Sequence, residues 1–373
     1  MKKILRRIIV YSNLVFAVLL VLSFLSPNIS PEKVWWPSFA GLSYPYILLA
    51  NILFMLFWIL RKRREFVISF LAILLGWNTL IRYVSINPGA IFKKGYFESL
   101  NREDRHSDRQ VKITSFNVRA FDQYNWLGKP SIKQDIIALL REEDPDILCI
   151  QEFYSTEHGQ YGTEDLFMAL DKTPYRHLEY TVSNQRNKYG IAIFSQYPVV
   201  ARGRIDMNNS LSICSYADLE MEDDTIRIYN MHLQSIRLSR QHYRFIDSLK
   251  LRYDNQQLEE IRDISTRLRD AFVKRAGQAD LIASHIEQSP YPVIVCGDFN
   301  DTPVSYTYRR IKGELMDAFA ECGLGIGRTY NGKFPAFRID YILYGKEFEA
   351  LHFTRKKIRL SDHFPITAYL RIL

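Results

Sequence analysis

Three apolar runs dominate the first 84 residues, at about 8–25, 44–60 and 66–84. A helix needs roughly 20 residues to cross the hydrocarbon layer of a bilayer, and each run approaches that length. The first two contain no charged residue, so a soluble core is the poorer reading for them. The third contains Gly76, Asn78 and Arg82, a polar content that lipid-facing helices tolerate badly. The expectation is an anchor over residues 1–85 with about three transmembrane helices, whose partner is the lipid bilayer itself.

Basic residues flank these runs. Lys2, Lys3, Arg6 and Arg7 precede the first, and Arg61, Lys62, Arg63 and Arg64 fill the turn between the second and third. Such clusters stay on the cytoplasmic side, whereas the loop at 26–43, with only Glu32 and Lys33, suits the other side. Three crossings of a plasma or inner membrane then carry the rest of the chain away from the cytoplasm. A cleaved signal peptide is the rival reading of the first run, but no small-residue cleavage pattern follows at 26–30. If the third run lies on the membrane surface instead, the remainder is cytoplasmic.

The charge balance changes at the same place. The chain has a formal charge of +8, yet residues 1–100 hold 12 Lys and Arg against 3 Glu, leaving 37 basic and 38 acidic residues beyond them. The later part is close to neutral, so the overall basicity is no argument for nucleic acid. Asn87, Pro88 and Gly89 signal a turn and residues 101–110 are almost wholly polar, so 86–110 reads as a linker. Cys149, Cys214, Cys296 and Cys322 show no CxxC spacing and read as buried, unpaired thiols.

From Val111 onward, short β-rich runs recur at 111–116, 147–150, 191–194, 226–229, 293–296, 339–343 and 366–370. A helix is expected over 132–142, with Ile136, Leu139 and Leu140 on one face. Strands and helices mixed at these spacings predict an α/β domain over 111–373, with two packed sheets covered by helices. Between about 235 and 288, Leu258, Ile261, Ile264, Leu268, Ala271, Ala279, Ile282 and Ile286 mostly recur at three to four residues. This predicts a helical insertion whose mixed charges, among them Arg267, Arg269, Lys274 and Arg275, form a solvated face.

Polar residues interrupt the apolar runs at their ends. Asn117 ends the first, Glu152 follows the second, Asn230 and His232 follow Tyr229, Asp298 and Asn300 follow Gly297, Asp340 interrupts 338–343, and Asp362 with His363 precedes the last. Singly, each is explained by a turn or a cap. Jointly, they supply the hard oxygen donors and imidazoles that suit Mg²⁺ and a phosphate.

The motifs SFNV at 115–118, QE at 151–152, NMH at 230–232, GDFN at 297–300, RIDYI at 338–342 and SDH at 361–363 occur in this order. In them the chain resembles the endonuclease/exonuclease/phosphatase family over about residues 111–373. The resemblance implies a four-layered α/β sandwich, two mixed sheets face to face with helices outside. It also implies a Mg²⁺ site, with Mn²⁺ as the alternative ion, at Glu152 with Asn117 near it and Asp362 completing the surroundings. Asp298 would deprotonate the attacking water and Asn300 would donate to the water or the phosphate. Asp340 would orient His363, and His363 and His232 would donate to the phosphate and assist the leaving oxygen. Asn230, in the motif of His232, is expected at the substrate. Arg119 and Arg338 are placed there by sequence proximity alone, with a structural ion pair as the open alternative.

These readings make the chain a metal-dependent phosphoesterase of phosphodiesters or phosphomonoesters. The anchor favours a phospholipid or other membrane-borne ester. A nuclease acting on DNA or RNA outside the cytoplasm is the alternative, with aromatics near Trp126 and Tyr330 available to stack on bases. A tethered binding or scaffold protein that has lost catalysis is the reading from another class, and no substituted core position supports it. No protein partner is inferable.

Overall fold

In a computed structural model, the structure describes residues 2–107, 109–184, 186–207, 212–221, 224–236, 255–332 and 337–373, with positions 238, 242 and 245. The chain divides into one unit of Met1–Val84, Ile236–Ala279 and Asp301–Ile311, and another of Ser85–Ser235, Asp280–Asn300 and Lys312–Leu373.

The first unit is built on helices α1 (Lys2–Ser23), α2 (Trp36–Leu42), α3 (Tyr44–Leu60), α4 (Phe66–Leu75) and α5 (Trp77–Tyr83). Among the described residues, the stretch Lys3–Asn28 is the one helix long and apolar enough to cross a membrane, and the number rises to three if each of two bent pairs is one span. The expected third span is one of these pairs, bent by 72° between α4 and α5. The break falls at Gly76, where any Cβ would run into the Phe24 ring. Polarity in this unit is inverted. Leu14, Val18, Leu49, Leu53, Phe70, Leu71 and Leu74 are exposed, while Asn13, Asn51 and Ser69 are buried. Asn13 Nδ2 donates to Ser69 Oγ (2.6 Å), which donates to Asn51 Oδ1 (3.0 Å), and Trp58 Nε1 donates to Asn13 Oδ1 (3.1 Å).

The predicted insertion forms a 33-residue helix, Asn255–Glu287; much of its earlier part, at 237, 239–241, 243–244 and 246–254, lies outside the described residues. Its charges are not all solvated as expected. Arg267 and Arg269 make exposed pairs with Asp263 and Asp270, but Arg275 is buried against Asp301 at 3.0 Å. The same turn of helix places Phe272 edge-on to Phe39, 5.3 Å away, so this face packs within the unit.

The second unit explains why its strands read as unbroken apolar runs. Two six-stranded sheets lie face to face, in the orders β11-β12-β1-β2-β4-β3 and β5-β6-β7-β8-β10-β9. The strands are β1 (Gln110–Asn117), β2 (Ile147–Ser155), β3 (Tyr175–Ser183), β4 (Lys188–Ser195), β5 (Val199–Ile205), β6 (Ile213–Met221), β7 (Asp224–His232), β8 (Val293–Asp298), β9 (Met316–Asp317), β10 (Asp340–Tyr344), β11 (Phe348–Arg355) and β12 (Ile366–Ile372). β1 with β2 and β7 with β8 pair in parallel, and the other named pairs are antiparallel, so both sheets are mixed. Ile147 and Cys149 of β2 enter the core between the sheets with Ile193, Ile228, Ile294 and Ile366. Their neighbours Leu148 and Ile150 point the other way, onto helix α8 (Ile132–Glu143), whose Ile136, Leu139 and Leu140 they meet. A strand buried on both faces has no polar phase to show. All four cysteines are buried and free. The α/β class, the paired mixed sheets and the flanking helices are therefore as the sequence predicts.

The expected linker is corrected. Residues 86–110 carry helices α6 (Gly89–Ser99) and α7 (Arg102–Ser107). Phe97 is buried, stacked on His352 at 5.2 Å and packed against Tyr369. Arg105, 1% exposed, forms a 2.7 Å ion pair with the equally buried Asp146. The polar sequence hid this because its charges are paired inside the fold.

Candidate active site

Strand register gathers the polar strand ends. His232 stands opposite Asp298 across the parallel pair β7 and β8, and Asp340 stands opposite Asp298 across β8 and β10. In the other sheet, Asn117 of β1 stands opposite Gln151 of β2. Asn117 Nδ2 closes the gap between sheets, donating to Glu152 Oε1 (3.2 Å) and Asp298 Oδ2 (3.0 Å).

Local backbone aims these groups. β2 slips register between Ile150 and Phe153, and inside the irregularity Glu152 takes a φ of +50°. Left-handed backbone is uncommon away from glycine, and here it turns the carboxylate out of the pleat. Asn300 is left-handed too, at +53°, and its backbone N–H caps Asp298 Oδ1 at 2.8 Å. Gly297 lies between them in kind, at φ +144°, where a Cβ would meet the Met231 carbonyl oxygen at 2.2 Å, so only glycine lets β8 pair closely with β7 here. From Arg119 to Asp122 four consecutive residues are left-handed, and the Asn117 carboxamide oxygen holds the first of them by its N–H (3.0 Å).

The centre of the site is a ladder of charge. Both Asp340 oxygens face His363 Nδ1, at 3.0 and 3.1 Å, and His363 Nε2 lies 3.7 Å from Asp298 Oδ2. Burial disfavours the imidazolium, but Asp340 and Asp298 outweigh it and hold His363 well above the usual histidine range. Asp298 is pushed up to about 6, chiefly by burial and further by Asp340, against the pull of His363, His232 and the Asn300 N–H. Burial also raises Asp362, which Glu152 reinforces and His363 and Arg119 oppose. His232 Nε2 is buried without a hydrogen-bond partner, 3.5 Å from Glu152 and 3.7 Å from Asp298. Arg119 Nε is 3.3 Å from Asp362, and its guanidinium lies over the Trp126 ring at 4.2 Å.

Eight of the eleven residues singled out beforehand thus meet in one hydrogen-bonded or ion-paired cluster: Asn117, Arg119, Glu152, His232, Asp298, Asp340, Asp362 and His363. Asn300 borders it, with one amide hydrogen committed to the Leu233 carbonyl (3.0 Å). Asn230 requires a correction. It is fully buried and its Nδ2 donates to the carbonyls of Ile150 and Ala192 while its Oδ1 accepts from Gln151, so it braces one sheet on the other and has no group for a substrate. Arg338 is also remote in function, buried against Asp317 at 2.7 Å between the Phe319 and Tyr341 rings. Two supports escaped the sequence. Ser361 Oγ donates to the Asn117 carbonyl (2.8 Å), a role its place in SDH hinted at, and Thr329 Oγ1 receives the Asp340 N–H (3.1 Å), for which no sequence signal exists.

Two sets of residues suit a cation. Asp298, Asp340 and His363 bring ligand atoms within 4.8 Å of one another, but His363 Nδ1 is occupied by Asp340. Glu152 and Asp362 are a second pair of carboxylates, with mutually unfavourable charges and the orphaned His232 nitrogen 3.5 Å from Glu152, and oxygen donors of this kind are those a hard divalent ion prefers. Asn117 joins it as a ligand only with its amide turned, since its Nδ2 faces the carboxylates.

A profile of the Endonuclease/Exonuclease/phosphatase family matches residues 114–363, and one of a domain of unknown function, DUF8431, matches residues 6–83. The chain has no match among curated protein sequences. Among solved structures, an endonuclease/exonuclease/phosphatase from Beutenbergia cavernae aligns with TM-score 0.51 at 15% identity, over 71% of this chain and 72% of its own. A family protein from Bacteroides thetaiotaomicron gives 0.49 at 18%, over 70% and 97%. The human Nocturnin catalytic domain gives 0.49 at 18%, over 71% and 94%.

Proposed function

The chain belongs to the endonuclease/exonuclease/phosphatase family, and we propose that it is a membrane-anchored, Mg²⁺-dependent hydrolase of phosphoric esters, phosphodiesters foremost. The observation that carries this is the ladder Asp340–His363–Asp298, set beside Glu152 and Asp362 at one strand-end cluster. A buried carboxylate raised to about 6 is matched to removing a proton from water near neutral pH, and an imidazole held protonated is matched to returning one.

In this reading Asp298 takes the proton from the attacking water, steadied by the Asn300 N–H. Asp340 fixes His363 by Nδ1, which leaves Nε2–H directed toward Asp298 and the phosphate. His232 and the remaining amide hydrogen of Asn300 donate to the phosphoryl oxygens, and Arg119 adds charge there while pinned by Asp362 and Trp126. Mg²⁺, or Mn²⁺ in its place, held by Glu152 and Asp362 with Asn117 completing the set, supplies Lewis-acid neutralisation of the phosphoryl charge.

The inverted polarity of the N-terminal helices supports a lipid surround, and with it a phospholipid or other membrane-borne ester as substrate, the domain facing away from the cytoplasm in a plasma or inner membrane. A nuclease is the second reading. The exposed Tyr124 and Trp126 beside Arg119 favour it, because bases stack on such rings. The full chain in detergent should hydrolyse bis(p-nitrophenyl) phosphate with Mg²⁺ and lose this activity in EDTA, and Glu152→Gln and His363→Ala should each nearly abolish it. Activity retained in both variants would sink the assignment; sphingomyelin, DNA and RNA assayed side by side separate the two substrates. A C-terminal alkaline-phosphatase fusion that stays inactive would overturn the orientation.

A further inference from the structure

The second unit carries an apolar surface that its own fold does not cover. It begins where the chain leaves α5, which ends at Tyr83. Two residues on, Ser85 forms a β-bridge with Gly325, its N–H reaching the Gly325 carbonyl (3.0 Å) and its carbonyl accepting the Gly325 N–H (2.8 Å). Ser85 Oγ donates to the Gly323 carbonyl (2.8 Å) and Asn87 Nδ2 to the Glu321 carbonyl (3.1 Å). The strand of chain that follows the last apolar helix is therefore tied to the 323–327 loop.

Large apolar side chains stand exposed on both. Ile86 is 78% exposed, and Leu324 and Ile326 project from the loop it is pinned to. On α6, Ala90 and Phe97 are the buried face, while Ile91, Phe92 at 86% exposed, and Tyr96 point outward. Lys93 and Lys94 are exposed among them. A hollow of about 230 Å³ opens beside this helix, lined by Ile91, Leu324, Phe319 and Phe353 together with Lys94 and Arg355. A short helix with aromatics and aliphatics outward and adjacent lysines has the composition of a segment lying in the headgroup region of a bilayer. None of the residues of the catalytic cluster belongs to this patch.

We infer that α6 and the 323–327 loop form a second membrane contact, docking the catalytic unit on a bilayer surface bearing anionic lipids. The occupant is a lipid surface because the patch starts two residues after the last apolar helix and pairs its apolar side chains with lysines. Lysines near an anionic surface are attracted to it, which supplements an apolar contact of this modest size.

The test needs no catalytic readout. Full-length protein carrying Phe92→Cys or Ile326→Cys is labelled with an environment-sensitive fluorophore and reconstituted in vesicles of phosphatidylcholine and phosphatidylglycerol. Met168→Cys and Val200→Cys, at exposed positions outside the patch, serve as references. Labels at 92 and 326 should be quenched several-fold more by spin-labelled lipid than the references, and several-fold less by aqueous iodide. Lys93→Glu with Lys94→Glu should weaken that difference at 92. If the labels at 92 and 326 behave like those at 168 and 200, the inference falls, whether or not the protein hydrolyses any ester.

Discussion

Asp340→Asn isolates charge from shape in the proton-handling ladder. Asparagine keeps the size of the side chain and one acceptor for His363 Nδ1, but removes the negative charge from a contact of 3.0 Å between groups that are both buried. At an effective dielectric of about 20, that attraction is worth roughly 5 kcal/mol before compensation. Asn retains the hydrogen bond and Asp298 still faces Nε2, so a net loss of about 2 to 4 kcal/mol is expected, or roughly 30- to 1,000-fold in kcat/KM at 1.36 kcal/mol per decade. The sign of the pH effect follows from His363 being held above its usual range: the imidazolium of the native enzyme survives to alkaline pH, and loss of Asp340 lowers that limit. The alkaline limb of the kcat/KM profile should therefore move toward acid, with the deficit growing as pH rises. Hydrolysis of bis(p-nitrophenyl) phosphate across pH 6–10 measures both, and thermal melts in detergent check that the fold survives. A variant within threefold of the native rate whose alkaline limb has not moved would refute the assignment of Asp340 as the positioning residue of His363.

Asp298→Asn should be inactive yet more stable in EDTA. A carboxyl pushed up to about 6 costs folding free energy above its unfolded value of 3.8, so the gain should be roughly 1 to 3 kcal/mol at pH 8, shrink as pH falls from 6 to 4, and vanish below; an equal gain at all pH would contradict the cause given. Asn230→Ala should lower stability by roughly 2 to 4 kcal/mol, because the carbonyls of Ile150 and Ala192 and the Gln151 amide all lose their partner in a dry interface, and chemical denaturation measures it. A substrate role would instead raise KM at unchanged stability.

What the sequence made legible follows from burial. β1, β2, β4, β7, β8, β10 and β12 lie inside the sheets and are largely buried; β1, β2, β7 and β8 run toward the polar site at their ends, and β10 and β12 begin beside it. β3 and β5 escaped because they are edge strands: Tyr175, Val182 and Val200 are exposed, and Arg176, Arg202 and Arg204 interrupt any alternation. α7 escaped because charge usually means solvent, whereas Arg105 and Asp146 neutralise each other in the interior. The break in the third apolar run was present only as Gly76, and its cause, the Phe24 ring filling the place of a Cβ, lies about fifty residues away in the sequence. The NMH motif announced that position 230 mattered without saying whether its amide met substrate or backbone. That distinction depends on which sheet faces it, and composition carries no trace of it.

The charges of the site decide how it can work. Glu152, Asp298, Asp340 and Asp362 contribute four negative charges, and Arg119 with the His363 imidazolium returns two, so the cluster stands at −2 with every carboxyl ionised. An anionic ester meets repulsion there. A proton relieves it most readily at Asp298, the carboxyl already raised to about 6, but a protonated Asp298 cannot accept a proton from water. In the proposed mechanism, a divalent ion held by Glu152 and Asp362 would relieve the same repulsion at the other end of the cluster and would leave Asp298 free to act as base. In that mechanism metal and proton would compete for one excess of negative charge, and the metal-bound form would be the one able to react. It follows that Mg²⁺ affinity should fall as pH drops through 6, and that metal should bind before the ester rather than with it.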